Sequence, residues 1–337
     1  MSLASRLSTL RPARRRTAAA LGAAAVVAGF GLVLPIGTAD AAPIPGMQAA
    51  PYEYFGWGNP QDPKVVMQQT GIRWFTVAFI LSDGGCNPKW DGQRSLTSGI
   101  DATNIKKIRD NGGDVVVSFG GWAGAKLGEK CSSSSALAGA YQKVIDAYRL
   151  KAIDIDIENT EMHSAAARGR VIGALKLVKQ RNPGIKTYLT LGTEQSGPNA
   201  DGLDLIARGA AAGLDNDGWV IMPFEFGGGN NMAAASIKAA DILKNIVKSA
   251  YRYSDSDAYR RIGISSMNGK AGAGEKVTLA DFNTMLAYAQ KRHIARFTFW
   301  AVNRDRPCGG ANNGGDTCGS INQKPYDFTK VIAKYKG

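Results

Sequence analysis

Residues Lys151 to Asn159 read Lys-Ala-Ile-Asp-Ile-Asp-Ile-Glu-Asn, and no other stretch limits the fold of this chain as much. Strict alternation is a strand pattern, in which residues i, i+2 and i+4 share a face. Asp154, Asp156 and Glu158 therefore line one face, roughly 6–7 Å between neighbours, and Ile153, Ile155 and Ile157 line the other. The isoleucine face suits a covering layer of helices. The acid face suits no ordinary core. Like charges so close cannot all stay ionised cheaply, so at least one carboxyl is expected to titrate above its usual range. A carboxylic acid still protonated near neutral pH can serve as a general acid. Two other readings compete. An exposed edge strand would more often carry mixed or basic charge. A Mg²⁺ or Ca²⁺ site would normally draw its acids from separate elements. The favoured reading is a catalytic row.

The acid strand is one of eight. Strand-like runs are read at Tyr52–Trp57, Ile72–Leu81, Asp114–Phe119, Ala152–Glu158, Ile185–Leu191, Trp219–Phe224, Arg261–Met267 and Arg296–Val302. Amphipathic stretches lie between them, among them Ala136–Tyr148, Ala165–Arg181, Ala233–Tyr251 and Leu279–His293. Val171, Leu175 and Val178 fall at helical spacing, and Asn182-Pro183-Gly184 then stops that helix. Eight β-then-α units predict an α/β protein with a closed (β/α)8 TIM barrel. An open dinucleotide-binding sheet would need a Gly-x-Gly-x-x-Gly turn after its first strand; Gly56-Trp57-Gly58-Asn59-Pro60 does not supply one. Barrel active sites sit at the C-terminal strand ends. On the fourth strand that puts Glu158 at the top, Asp156 one layer down and Asp154 deeper.

The N-terminus has another purpose. Arg11, Arg14, Arg15 and Arg16 precede an apolar run, Ala18 to Leu34, and Ala39-Asp40-Ala41 is a small-x-small cleavage site. Residues 1–41 are expected to be a secretory signal cleaved after Ala41, by either the general or the twin-arginine route. The signal carries five basic residues and one acid of a chain whose net charge is +13, so the remainder stays basic. No basic run survives there, and the charge reads as ordinary surface lysines rather than a nucleic-acid footprint. Residues 42–337 are long enough for one large core, and no Pro/Ser/Thr linker divides them. A single domain, monomeric and free of the membrane once the signal is removed, is expected. The four cysteines, Cys86, Cys131, Cys308 and Cys318, are an even set in an exported chain. Cys308 and Cys318 flank a Gly/Asn-rich loop and should pair, which leaves Cys86 for Cys131. Their spacing has no zinc pattern, so no metal or other cofactor is expected. His163 and His293 lie in helix-like context and read as surface or cap residues. Ser118 has no histidine placed to activate it.

With these residues in view, the chain resembles the family 18 glycoside hydrolases, the chitinases, most closely the secreted single-domain kind from actinobacteria. That family's fourth strand carries Asp-x-x-Asp-x-Asp-x-Glu, whose last three acids match Asp154, Asp156 and Glu158. Lys151 replaces the first acid, and Asn159 stands where Gly is usual. Ser118-Phe119-Gly120-Gly121 is similar to the third-strand Ser-x-Gly-Gly, with Gly120 and Gly121 allowing close backbone approach beside the site. Trp300 matches the eighth-strand tryptophan that floors the sugar site. Met222-Pro223-Phe224-Glu225-Phe226-Gly227 occupies the place of a sixth-strand Met-Thr-Met-Asp-Tyr-Gly. There Glu225 keeps the charge that helps hold the N-acetyl group but adds a methylene, and Phe226 lacks a hydroxyl. Met222 and Phe224 are either site residues or barrel filling, and Gln195 or Asn268 could reposition the sugar.

The resemblance implies hydrolysis of β-1,4-linked N-acetylglucosamine polymers with retention, assisted by the substrate itself, an exception to the two-carboxylate scheme. Glu158 would be the acid and Asp156 would orient the acetamide. A binding-only barrel (lectin or inhibitor) and an endo-β-N-acetylglucosaminidase are the alternatives.

Overall fold

Eight parallel strands form a nearly closed (β/α)8 barrel in the computed structural model, which describes residues 45–337; the expected signal segment lies outside these residues. The strands in chain order are β1 Tyr52–Tyr54, β2 Trp74–Ser82, β3 Pro88–Trp90, β4 Asp114–Gly120, β5 Ala152–Ile157, β6 Lys186–Gly192, β7 Gly218–Met222, β8 Ile262–Met267, β9 Gly269–Lys270, β10 Lys276–Val277 and β11 Arg296–Trp300. The barrel order is β1-β2-β4-β5-β6-β7-β8-β11; β3 pairs antiparallel with β2, and β9 with β10. The Thr298 hydroxyl of β11 donates to the Ala50 carbonyl just before β1, which brings the last strand back beside the first.

The helices are α1 Pro63–Thr70, α2 Ile100–Asp110, α3 Leu127–Lys130, α4 Ser134–Tyr148, α5 Asn159–His163, α6 Ala165–Arg181, α7 Ala200–Ala211, α8 Met232–Tyr251, α9 Asp255–Tyr259, α10 Leu279–Arg292 and α11 Asp327–Ile332. Their starts follow ordinary capping chemistry. Ser133, Ser164, Asn199, Asn231 and Thr278 each accept a backbone N–H of the first turn, a contact worth about 1 kcal/mol. All eight barrel strands fall where the sequence predicts them, within a few residues at their ends. The largest difference is at β1, which stops at Tyr54 rather than Trp57, and β7 stops at Met222 rather than Phe224. Pro223 has no N–H to continue the ladder.

Alternation divides the strands between two environments. Ile153, Ile155 and Ile157 pack outward with Val117, Phe119, Leu189 and Leu191 against Val144, Val171 and Leu175 of the helices. Each such side chain contributes about 1.5–3 kcal/mol by leaving water. The inward positions stack in layers. Trp74, Val116, Ala152, Tyr188 and Val220 form an apolar floor. Above it lie Thr76, Ser118, Asp154, Thr190 and Thr298, all buried. The barrel interior is thus polar at mid-height, at the level where the acid row begins. Disulfides Cys86–Cys131 and Cys308–Cys318 join loops. Among the described residues no helix is long and apolar enough to cross a membrane.

Candidate active site

The acid row climbs β5. Asp154 sits opposite Ser118 on β4 and Tyr188 on β6; Asp156 sits opposite Gly120 and Thr190. Three hydroxyls converge on Asp154: Tyr52 donates at 2.7 Å and Ser118 at 2.6 Å to Oδ2, and Thr190 at 2.7 Å to Oδ1. Ser118 therefore serves as a donor to the row. Asp156, one layer higher, is buried, yet its Oδ1 has no hydrogen-bond partner among the described residues. Glu158 lies past the strand end, partly exposed, as the residue that leads into α5.

The titration of the upper two acids follows from this placement. Burial pushes Asp156 well above the usual carboxyl range, and the charges of Glu158 and Asp154 add to that; Lys126 opposes them, while Glu161 adds to them. Burial raises Glu158 to about 7; Lys126 opposes this and the charge of Glu225 reinforces it. Glu158 is thus poised to give and take a proton near neutral pH.

The Ser-Phe-Gly-Gly segment packs against the row. A Cβ on Gly120 would lie 2.2 Å from the Asp156 carbonyl oxygen, and Gly120 has φ +100°. Gly121 donates its N–H to that same oxygen at 2.8 Å. A Cβ there would also meet the Phe79 ring at 2.8 Å. Phe79 in turn stacks on Trp300, with ring centroids 5.5 Å apart and planes 9° from parallel. Tyr52, the donor to Asp154, lies 5.9 Å from the same indole. Trp300 is only partly buried, and its Nε1 donates to Asp316 Oδ1 at 2.7 Å.

The segment after β7 is placed differently from the sequence expectation. Met222 is buried at the strand end and Phe224 is half-buried beyond it. Glu225 does not extend an alternating strand: it lies in a turn with φ +54°, exposed, and its Oε1 accepts the Gly272 N–H at 3.0 Å. Its charge still reaches Glu158. Gln195 binds the Gly227 carbonyl at 2.6 Å, bracing the same turn. Asn268 is fully buried; its Oδ1 accepts the Ala301 N–H at 3.1 Å, and its Nδ2 has no partner among the described residues. His163 is exposed and pairs with Asp201, and His293 caps α10. Among the described residues no group of His, Cys, Asp and Glu is gathered to hold a metal ion.

Two residues beside the row escaped the sequence reading. Lys126, on the loop after β4, is almost fully buried, and its Nζ donates to the Ala123 carbonyl. Burial holds its ammonium below the usual range, while Glu161, Asp156, Glu158 and Glu129 pull it back up. Glu161 of α5 is buried, accepts the Gly128 N–H at 2.9 Å through Oε1, and leaves Oε2 unpartnered. Burial raises it to about 7. Glu161 could have been suspected, being one turn beyond Glu158. Lys126 carries no such signal, because a loop folds it inward.

The fold and the row define a barrel with stacked carboxylates at its open end. No family model matches the chain. It is 26% identical over 306 residues to the Probable bifunctional chitinase/lysozyme of Escherichia coli (strain K12), covering 85% of this chain and 34% of that protein. It is 26% identical over 274 residues to Endochitinase 11 of Metarhizium anisopliae, covering 77% of this chain and 52% of that protein. The chain therefore spans between a third and about half of the curated relatives it matches. Among solved structures, the catalytic domain of the hyperthermophilic chitinase from Pyrococcus furiosus superimposes with a TM-score of 0.77 at 28% identity, covering 87% of this chain and 95% of that one. The resemblance to chitinases read from the sequence stands: both of these relatives carry a chitinase name, and the 28% identical solved structure is a chitinase catalytic domain.

Proposed function

We propose that this chain is a chitinase that cleaves β-1,4 bonds between N-acetylglucosamine units by substrate-assisted retention. One observation carries the reading: Asp156 presents a buried, unpartnered Oδ1 immediately below Glu158, whose carboxyl titrates at about 7. Glu158 gives its proton to the glycosidic oxygen as the bond to the anomeric carbon breaks. The acetamido carbonyl oxygen of the same sugar attacks that carbon and forms an oxazolinium ion. Asp156 accepts the acetamide N–H at its free oxygen, which holds the acetamide in place for the attack and favours the charge that develops on its nitrogen. Asp154, held by Tyr52, Ser118 and Thr190, fixes the row from below. Glu158, now a carboxylate, takes a proton from water, which opens the oxazolinium ion and restores the original configuration. No metal takes part in these steps. Trp300 offers its face to the apolar side of the sugar. The exposed indoles of Trp57 and Trp122, beyond β1 and β4, extend the stacking surface at the same end of the barrel. An acid of this kind supports an enzyme over a barrel that only binds sugar.

Export follows from the same reading. Residues 1–41 have the composition of a cleaved signal, and two disulfides suit an oxidising compartment. Residues 42–337 act as one catalytic domain, monomeric and outside the cell, on chitin or its oligosaccharides.

The test is Glu158→Gln assayed on chitotetraose. Gln keeps the shape and loses the transferable proton. Cleavage should fall at least about 100-fold while calorimetry still records binding. Retention of a tenth of the activity would remove Glu158 from the role of acid.

A further inference from the structure

The loop closed by Cys308–Cys318 lies against the sugar platform, and its contacts converge there. Trp300 Nε1 donates to Asp316 Oδ1 at 2.7 Å. Arg304 stands 3.8 Å from the same oxygen and also donates to the Gly315 carbonyl. Arg306 donates to the Thr317 carbonyl at 2.7 Å and to the Gly58 carbonyl at 3.0 Å. Asn59 reaches Asn312 at 3.1 Å. At Gly58 a Cβ would lie 3.3 Å from the Asp316 carbonyl oxygen. The loop is thus stitched to the segment that carries Trp57 on one side and to the end of β11 on the other.

The indole needs such a holder. The second side-chain torsion of tryptophan is broad rather than locked in staggered wells. Phe79 covers one face of the ring, which fixes its plane but not its rotation within that plane. A hydrogen bond from Nε1 to a carboxylate supplies the missing constraint, and charged acceptors make the stronger bonds of this type. We propose that Asp316 is a positioning residue that sets the orientation of Trp300, with the disulfide-closed loop as its mount. The inference rests on the reading of Trp300 as the sugar platform.

The test uses the full chain in a Glu158→Gln background, with chitotetraose as the probe and calorimetric Kd as the readout. Asp316→Ala should weaken binding about tenfold. Asp316→Asn, which keeps an acceptor, should stay within about twofold of the parent. Trp300→Phe deletes the donor and leaves Asp316 in place, so Asp316→Ala added to it should cost less than a further twofold or so. The Trp300 Nε1–H proton resonance should move upfield in Asp316→Ala and return in Asp316→Asn. Three outcomes overturn the proposal. If Trp300→Ala weakens binding but Asp316→Ala does not, the platform stands and the positioning role falls. If Asp316→Ala costs as much in the Trp300→Phe background, it acts by another route. If Trp300→Ala leaves Kd unchanged, the platform reading and this inference fall together.

Discussion

Glu158 and Asp156 share one environment but are set to different tasks by what surrounds each. Asp156 is enclosed, has acids above and below it, and keeps one oxygen without a partner. Glu158 stands at the rim, where burial raises it to about 7 and Lys126 limits the rise. A general acid must start protonated, so kcat/KM should fall as pH rises through about 7. Lys126→Met removes the charge that favours ionised Glu158, and the alkaline limb should then move to higher pH. The charges that act on this group are Lys126, Glu225 and the neighbouring Asp156, while Glu161 and Glu129 act on the lysine. A pH–rate profile of both proteins checks the direction; a limb that stays in place or moves down would show that Lys126 does not act on Glu158.

At the level of elements, the turn after β7 shows what a strand pattern can and cannot reveal. The eight strands, the outward isoleucines and the stacked acids were legible because period-2 alternation is written in consecutive residues. The geometry of Glu225 was not. Pro223 ends the ladder, and beyond it a positive φ and a bond to Gly272, 47 residues away in sequence, decide where the carboxylate goes. Lys126 and Asp316 are hidden for the same reason: loops bring them to the row or the platform, and no periodicity marks a loop. Glu225 accepts the Gly272 N–H at 3.0 Å, and an aspartate there is one methylene shorter. Glu225→Asp should lose that bond and lower kcat/KM several-fold, about the cost of one hydrogen bond. Steady-state kinetics on chitotetraose decides; a rise in kcat would mean that the longer acid handicaps the natural site.

Across the whole molecule, buried acids set the pH at which the fold is strongest. Glu158 and Glu161 titrate at about 7 and Asp305 at about 6, with Asp156 and Glu53 also raised, all chiefly by burial. A raised acid contributes its full stability below its unfolded pKa, and that contribution is lost as pH climbs through the folded value. Asp217, held low by Lys179 and Lys186 despite its burial, and Asp255, held low by Lys248 and Lys244, act in the opposite sense: their contribution is present above the unfolded value of 3.8 and lost as pH falls. The two slopes meet between them, so the melting temperature should peak at about pH 4–5 and decline toward pH 8. Scanning calorimetry across that range checks it, and a maximum above pH 7 would contradict the burial argument. The central claim is that the stacked acids let the substrate's own acetamide displace the leaving sugar. Proton NMR of chitotetraose during the first moments of digestion tests this most directly. The account predicts that the newly formed reducing ends appear first as the β-anomer and only later mutarotate. Initial release of the α-anomer, or no cleavage at all, would contradict it.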